Sequence, residues 1–188
     1  MTSYADVYFL RHLKTINNKL NIISGQMDSD VIQTNYLTIN FNDFDRIYCS
    51  PLPRCKKTLE ILGERTYDAS KIIYDNRLSE RNMGMLEGKL KKNEELSYPE
   101  LFLEGSFDVF QTPPYGESFE AFYKRVSKFY NEIICVNLEK DILICAHNQT
   151  LKLLRLLIMQ KEITYESWSE CSFENGELNL IYSVGGEH

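Results

Sequence analysis

The stretch of sequence that decides the fold is DILICAH, residues 141–147. Its apolar run has the length of a buried strand, and leucines at helical spacing follow it at Leu151 and Leu154. A buried strand that leads directly into a helix is typical of a parallel sheet covered on both faces. His147 therefore stands where a central strand ends and a helix begins.

Strands and helices alternate along the rest of the chain. We expect a first strand over residues 6–10, which ends at Arg11 and His12, and a last strand over residues 178–184. The other elements are strands at 45–49 and 71–75, a helix from the prolines of 50–53 to near Gly63, and a helix with its N-cap at Ser118. This alternation predicts the α/β class, with three α/β/α layers: a mostly parallel central sheet and helices on both faces.

The chain length favours a single domain. We assign residues 1–184 to one domain and residues 185–188 to a tail, since 188 residues usually form one core. Residues 89–115 lack a clean period and are interpreted as a small insertion that could form a lid. The polar stretch 14–30 is expected to be a loop.

Composition restricts the class of partner and the compartment. The net charge of −6 is unfavourable for binding nucleic acid or an anionic membrane, and neither partner is expected. The N-terminus lacks the pattern of a signal peptide, and no apolar stretch is long enough to span a bilayer. Five cysteines without a C-x-x-C pair favour reduced thiols in the cytoplasm, with Cys49, Cys135 and Cys145 in the core.

Two of the three histidines, His12 and His147, come directly after predicted strands. Ligands of parallel sheets bind beyond the carboxyl ends of the strands, so both side chains should lie at the same rim. The third histidine, His188, is the last residue of the tail and is given no role.

Five short motifs occur in order around these histidines. The first is LRH, residues 10–12, with Thr15 and Asn18 downstream. The others are SPLPRCKKT at 50–58, ERNMGMLEG at 80–88, PYGES at 114–118 with Arg125 downstream, and AHNQT at 146–150. Together the motifs extend over nearly the whole chain, which makes their common order specific.

In these motifs the sequence resembles the histidine phosphatase superfamily, also called the phosphoglycerate mutase-like family, and in particular its phosphatase branch. The resemblance implies that His12 is the nucleophile, that Arg11, Arg54 and His147 belong to the catalytic site, and that Glu80 is the acid. Two positions depart from the pattern of the family: Leu13 and Asn148 each replace a glycine that is usual there.

The chemistry of phosphoryl transfer fits these residue types. The transferred group carries negative charge on its oxygens, which Arg11 and Arg54 could bind in bidentate fashion and a protonated His147 could also contact. His12 must be unprotonated at the attacking nitrogen, and a backbone carbonyl on its other nitrogen would fix that tautomer. Further candidates for contacts with phosphate or substrate are Asn18, Ser24, Gly25, Asn148 and Gln149.

The leaving alkoxide needs a proton from a general acid, for which Glu80 is the candidate and Glu87 the rival carboxylate. The same residue would then act as a base toward the water that hydrolyses phosphohistidine. We therefore expect a metal-independent phosphatase that hydrolyses a small phosphorylated metabolite through a phosphohistidine on His12. No cofactor or metal is expected, because the histidines and cysteines lack paired ligand spacing.

Two alternatives stay open at the level of the sequence. One is a phosphoglycerate mutase, whose phosphohistidine must be kept from water; the short insertion favours the phosphatase instead. The other is a non-catalytic phosphate-binding module, if Leu13 and Asn148 reshape the pocket. The identity of the substrate and the oligomeric state are not determined by the sequence.

Overall fold

A computed structural model describes residues 6–137 and 140–183, so the expected tail at 185–188 lies outside the described residues. The strands are β1 (Asp6–Arg11), β2 (Arg46–Cys49), β3 (Ile72–Tyr74), β4 (Phe102–Leu103), β5 (Ser106–Phe107), β6 (Ile142–Ala146) and β7 (Leu178–Ser183). The α-helices are α1 (Ile16–Leu20), α2 (Pro53–Gly63), α3 (Lys91–Ser97), α4 (Phe119–Phe129), α5 (Asn148–Ile158) and α6 (Tyr165–Ser169). Within these ranges no helix is both long and apolar enough to cross a membrane.

The central sheet has five strands in the order β3-β2-β6-β1-β7. Strands β1, β2, β3 and β6 are parallel to their neighbours, and β7 pairs with β1 in the antiparallel direction. All five residues of β6 are buried, as its unbroken apolar sequence predicts for the central strand of such a sheet. The expected mostly parallel sheet is confirmed.

Helices cover both faces of this sheet. Successive side chains of a strand point to opposite faces, and in β1 Phe9 and Leu10 belong to two different core clusters. Phe9 packs in a cluster with Phe122 of α4 and Leu151 of α5. Leu10 packs in a cluster with Leu59 of α2. The three-layer arrangement is therefore confirmed.

The local sequence of helix α4 determines where the helix begins and which face is buried. The Ser118 hydroxyl oxygen accepts a hydrogen bond from the Ala121 amide at 3.1 Å, which makes Ser118 the N-cap that the sequence predicts. Phe122, Val126 and Phe129 recur on one face and are completely buried. After Phe129 the chain continues as a π-helical turn over Tyr130–Ile134.

The expectation of a loop throughout 14–30 is wrong, because α1 lies inside that stretch. Its Thr15 hydroxyl accepts from the Asn18 amide and the Asn18 side chain accepts from the Thr15 amide, a reciprocal capping box that stabilises one short turn. Thr164 and Ser167 form the same box at the start of α6, which the sequence pattern also missed. Side-chain caps hold these five-residue helices, with little hydrophobic periodicity to reveal them.

The segment at 89–115 is a small, partly ordered insertion, as expected. It contains α3 and the two-stranded hairpin of β4 and β5. A separate apolar cluster of Met83, Leu86 and Leu101 lies beneath it. Phe102 and Phe107 pack edge to face in the hairpin, with ring centroids 5.8 Å apart.

One cysteine expected in the core is on the surface. Cys49 and Cys145 are buried in the strands, as predicted, but Cys135 is exposed. It follows the π-helical turn at Tyr130–Ile134, where the widened turn shifts the apolar stripe of α4 out of phase. In this run Ile134 takes the buried position and Cys135 faces outward.

A buried arginine ties the insertion to the body of the domain. Arg81 is fully buried, and its guanidinium donates to the carbonyl oxygens of Glu117 at 2.9 Å, Val109 at 2.6 Å and Gln111 at 2.6 Å. Burial lowers the pKa of Arg81 to about 10. Three carbonyl oxygens around one planar cation compensate much of its lost hydration and fix residues 109–111 and 117.

We predict that Arg81→Met lowers the free energy of unfolding by about 3 kcal/mol, because three buried carbonyl groups lose their donor. Urea denaturation followed by circular dichroism measures this change. Arg65→Met is the matched control, since Arg65 is exposed and its substitution should stay within about 0.5 kcal/mol. Equal stability of the two variants would contradict the proposed anchoring by Arg81.

Candidate active site

The two strand-end histidines lie side by side at the carboxyl rim of β1 and β6. Arg11 pairs in register with Ala146, and the next amide, that of His12, donates to the Ala146 carbonyl at 3.1 Å. The imidazole rings of His12 and His147 have centroids 5.2 Å apart. Parallel pairing of the two strands thus brings together residues that are 135 positions apart in the chain.

The environment of His12 selects one tautomer. Its Nδ1 lies 2.8 Å from the Leu13 carbonyl oxygen. A carbonyl oxygen can only accept, so Nδ1 carries the proton and Nε2 has a free lone pair. Burial lowers the pKa of His12 to about 3, and the side chain is 4% exposed. The ring is therefore a neutral base at physiological pH, with the hydrogen bond that the sequence analysis required of a nucleophile.

Leu13, which replaces a glycine of the family pattern, does not occupy the pocket. Its side chain is fully buried in the core cluster that also contains Leu10 and Leu59. Its amide donates to the Thr58 hydroxyl at 2.8 Å, which links the end of β1 to α2. The residue therefore adds to the core behind the rim without narrowing the space in front of His12.

Helix α2 delivers Arg54 to the same rim. The guanidinium donates from Nη2 to the Gly25 carbonyl at 2.7 Å and from Nη1 to the Met27 carbonyl at 2.9 Å. Gly25 has φ +48°, and a Cβ at this position would overlap the Glu87 carboxylate. Glycine is thus required at residue 25 for both backbone conformation and space.

Three buried donors without partners converge on one pocket. Among the described residues, buried side-chain atoms that lack a hydrogen bond include Arg11 Nε, Ser24 Oγ and Arg54 Nε. All three residues line a pocket of about 300 Å³ together with His12. Buried polar groups are normally satisfied, so this concentration marks a place prepared for an acceptor-rich ligand. The oxygens of a phosphate group provide such acceptors.

The amide side chains expected to contact the ligand also line this pocket. Asn18 accepts through Oδ1 from Thr15 as part of the capping box, which fixes the orientation of its amide group. Asn148 accepts through Oδ1 from the Phe173 amide at 3.4 Å. Gln149 follows at the first turn of α5. The structure therefore brings Asn18, Asn148 and Gln149 to the wall where Ser24 also lies.

His147 is beside His12 but is not part of the pocket wall. The residue is fully buried, and its Nε2 lies 2.7 Å from the Ser50 hydroxyl. The Cys55 thiol is 3.5 Å from the same nitrogen. Among the described residues, no group of three or more His, Cys, Asp or Glu side chains is arranged to hold a metal ion.

Glu80 is the carboxylate that reaches the pocket. Its Oε1 accepts from the Arg81 amide at 3.0 Å and from the Thr150 hydroxyl at 3.3 Å, and its Oε2 accepts from the Gln149 amide at 3.3 Å. These contacts join the carboxylate to the start of α5, next to the end of β6. Glu80 therefore faces the same space as His12.

The rival carboxylate, Glu87, accepts hydrogen bonds that hold two backbone segments together. Its Oε1 accepts from the backbone amides of Gln26 and Met83, both at 2.9 Å. These two bonds tie the loop that contains Gly25 to the segment after Glu80. Glu87 is not among the residues that line the pocket.

Arg125 of α4 holds the segment that carries Glu80. It donates to the carbonyl oxygens of Arg77 and Ser79, both at 2.8 Å, and of Glu80 at 3.2 Å. Its Nε is also paired with Glu117 at 2.6 Å. The charged pair thus fixes the backbone next to Glu80, and Glu117 does more than precede the helix cap.

Further residues line the pocket, and the sequence analysis did not identify most of them as lining residues. From the insertion, Lys91, Phe102 and Phe107 line it. The sequence analysis missed Lys152, whose ammonium donates to the Trp168 carbonyl at 3.1 Å and whose pKa is lowered by burial. Lys152 lies four positions after Asn148, so helical spacing could have placed both on one face. Other missed lining residues are Ile22, Ile23, Met83, Ser106 and Trp168.

Comparison with known proteins identifies the family of this site. The family described as the histidine phosphatase superfamily (branch 1) matches residues 7–187. The chain belongs to this superfamily. Membership confirms the resemblance read from the motifs and supports the expected class of enzyme, a phosphoric monoester hydrolase.

Named relatives include both phosphatases and mutases. A protein of Hydrogenobacter thermophilus named "Putative phosphoserine phosphatase 2" is 29% identical over 95% of this chain and 90% of its own. A 2,3-bisphosphoglycerate-dependent phosphoglycerate mutase of Cytophaga hutchinsonii is 29% identical over 78% of this chain and 74% of its own. Among solved structures, the α-ribazole phosphatase of Shigella flexneri superposes with a TM-score of 0.71 at 21% identity, over 92% of this chain and 88% of that one. This last similarity shows a shared fold.

We predict that His12 makes the folded protein sensitive to mild acid. The pKa of His12 is about 3 in the folded protein, against about 6.5 for an ordinary histidine, so only the unfolded chain takes up this proton between those values. As pH falls from about 6.5 toward 3, this group should remove up to about 1.4 kcal/mol of stability per pH unit.

Urea denaturation of wild type and His12→Asn between pH 7 and pH 4.5 measures this effect. Asparagine can still donate a hydrogen bond to Leu13 but does not titrate. The wild type should lose stability faster than the variant as pH falls. Parallel stability curves would show that His12 is not a buried neutral base.

Proposed function

We propose that the protein is a metal-independent phosphatase that hydrolyses a small phosphomonoester through a phosphohistidine on His12. The observation that carries this proposal is the convergence of three unpartnered donors, from Arg11, Ser24 and Arg54, on the pocket that contains the neutral His12 ring. A phosphate group supplies the oxygen acceptors that these donors lack.

Binding would use the charges at the rim. Arg11 and Arg54 contact the phosphate oxygens, and Ser24, Gly25 and Asn18 complete the loop side of the site. Asn148 and Gln149 lie at the N-terminus of α5, where the helix dipole favours a negative group. His147, whose ring centroid lies 5.2 Å from that of His12, is proposed as a further member of the catalytic site.

Two displacements would complete the reaction. The Nε2 lone pair of His12 attacks phosphorus as the bond to the leaving oxygen breaks, and Glu80 gives that oxygen a proton. Water then attacks phosphohistidine while the Glu80 carboxylate takes a proton from it. Inorganic phosphate leaves, and His12 and Glu80 return to their starting states.

The leaving group would lie against the insertion. Lys91, Phe102 and Phe107 offer one cation and two apolar rings on that side. The relatives and fold neighbours have names that refer to phosphoserine, α-ribazole phosphate and glucosyl-3-phosphoglycerate, all small phosphorylated metabolites. We propose a substrate of this general kind for the present chain.

We further propose that residues 1–184 act as one domain and that the protein works in the cytoplasm. The family match over residues 7–187 supports the first statement. Five free cysteines, of which Cys49, Cys55, Cys145 and Cys171 are buried, support a reducing compartment.

A mutase is the second candidate, favoured by relatives that are named phosphoglycerate mutases. A mutase must protect its phosphohistidine from water until the product intermediate is phosphorylated again. Here the insertion over 89–115 is short, with a seven-residue helix and a hairpin of two two-residue strands, so little chain is available to exclude water from the pocket. An open pocket favours hydrolysis. A binding module without catalysis has less support, because Leu13 lies outside the pocket.

We predict that the wild type releases phosphate from p-nitrophenyl phosphate in excess EDTA and that His12→Ala reduces this rate by at least about a thousandfold, since the nucleophile is lost. Absorbance of p-nitrophenolate measures the rate. Loss of activity in EDTA would contradict metal independence, and activity that persists in the variant would identify another nucleophile. Conversion of 3-phosphoglycerate that requires 2,3-bisphosphoglycerate, without net phosphate release, would establish the mutase instead.

We predict that Glu80→Gln slows hydrolysis of an alkyl phosphate far more than hydrolysis of p-nitrophenyl phosphate. An alkoxide needs a proton as it leaves, whereas p-nitrophenolate is a stable anion, so the loss should be about a hundredfold for glycerol 2-phosphate and smaller for the aryl ester. Single-turnover measurements of the first step make this comparison.

The matched control is Glu87→Gln, because Glu87 makes its contacts to backbone amides with one oxygen that glutamine retains. This variant should treat both esters alike. Equal losses for the two esters in Glu80→Gln would show that Glu80 does not act as the acid.

A further inference from the structure

A second cavity continues the catalytic pocket on the side away from the insertion hairpin. It has a volume of about 300 Å³ and shares five lining residues with the catalytic pocket: Arg11, Asn18, Ile22, Ile23 and Lys91. Beyond these residues it is lined by Lys14, which follows the rim of β1, and by Asn175, which precedes β7. We call this cavity the Lys14 groove.

The charged side chains that line the Lys14 groove are all positive. Its wall contains three cations, Arg11, Lys14 and Lys91, and no carboxylate. The protein as a whole has a net charge of −6, so this concentration of positive charge is local. Burial lowers the pKa of Arg11, and the nearby carboxylates of Glu80 and Glu174 act in the opposite direction, but neither carboxylate lines the groove. A concave site lined by one sign of charge concentrates ligands of the opposite sign.

Amide side chains complete the wall. Asn17, Asn18, Asn21 and Asn175 all line the groove. The Asn175 amide nitrogen donates to the His12 carbonyl at 2.8 Å, which ties this wall to the nucleophile's own backbone. Asparagine amides donate to anionic oxygens and to hydroxyl groups without adding negative charge. The groove therefore suits a polar, negatively charged group that lies close to the site of phosphoryl transfer.

The ammonium group of Lys14 is available to a ligand. Lys14 is exposed, and its side chain makes no ion pair or hydrogen bond to any residue in 6–137 or 140–183. Its backbone alone is engaged, through the amide to Gln33 and the carbonyl to Ile32. Substitution of the side chain should leave the fold unchanged, which makes Lys14 a clean probe of the groove.

We propose that the Lys14 groove binds a second anionic group, phosphate or carboxylate, on the leaving-group part of the substrate. This inference rests on the proposed function and narrows its substrate class to phosphomonoesters that carry one more negative group. In the catalytic pocket Arg54 and Lys152 accompany Arg11 around the phosphate, so Lys14 and Lys91 on the groove wall are available to a further anion. A neutral leaving group would leave both cations without a counter-ion.

The test compares pairs of substrates that differ in one anionic group. Glycerol 2-phosphate and 2-phosphoglycerate differ by a carboxylate, and fructose 6-phosphate and fructose 1,6-bisphosphate differ by a phosphate. For each pair whose members are both substrates of the wild type, we expect kcat/KM to be higher for the more anionic member. The measured quantity is the ratio of the two kcat/KM values within a pair. Lys14→Gln should reduce that ratio by about fivefold, the effect of one partly screened ion contact, and 0.5 M salt should reduce it in the wild type.

Lys19→Gln is the matched control, because Lys19 is an exposed lysine of α1 outside the groove and its loss changes the net charge equally. It should leave the ratio unchanged. An effect in the carboxylate pair alone or in the phosphate pair alone would identify which anion the groove accepts. A wild-type ratio near one in both pairs, or equal effects of the two lysine variants, would overturn the proposal.

Binding measurements distinguish failure of this second-anion site from failure of the proposed phosphatase activity. Should the wild type turn over no ester, p-nitrophenyl phosphate included, calorimetric titration of the same four compounds into wild type and Lys14→Gln still measures the groove. The second-anion site is supported without catalysis if the wild type binds the more anionic member more tightly and Lys14→Gln weakens this preference. No such preference in binding would refute the site itself.

Discussion

The pairing of β1 with β6 is the constraint on which the site depends. Each parallel strand delivers its last side chain to one rim, and the register of Arg11 with Ala146 sets His12 beside His147. The bond from the His12 amide to the Ala146 carbonyl extends the ladder by one residue past β1, so the proposed nucleophile is held by sheet geometry. A loop could not maintain a neutral, buried imidazole in front of a pocket with this precision.

The strands and long helices could be predicted from the sequence, because their buried residues are apolar and recur with the period of the element. Strand β6 is apolar at every position, and α4 has both a serine cap and an apolar stripe. The helices α1 and α6 could not be predicted in the same way, since side-chain capping boxes in polar segments hold them. Cys135 was misplaced because one π-helical turn changes the phase of an otherwise regular stripe.

The site was predictable where residues follow strands or open helices, as His12 and Arg54 do. The distinction between Glu80 and Glu87 does not follow from any local pattern, because both carboxylates accept from backbone amides and only the tertiary structure turns Glu80 to the pocket. The same is true of Lys152 and Trp168, which reach the pocket through the packing of α6 against α5. Such contacts are set by tertiary structure: helical spacing relates Lys152 to Asn148 but does not show that either side chain reaches the pocket.

The position of β1 between β6 and β7 has a consequence for synthesis on the ribosome. Strand β1 emerges first, yet both of its neighbours come from the last quarter of the chain, after residue 141. A nascent chain therefore exposes an apolar strand with two unpaired edges until the residues after 141 have been synthesised, a state prone to aggregation. His12 acquires its environment only when β6 arrives, so incomplete chains have no assembled site, and holdase chaperones have an early target in the N-terminal segment.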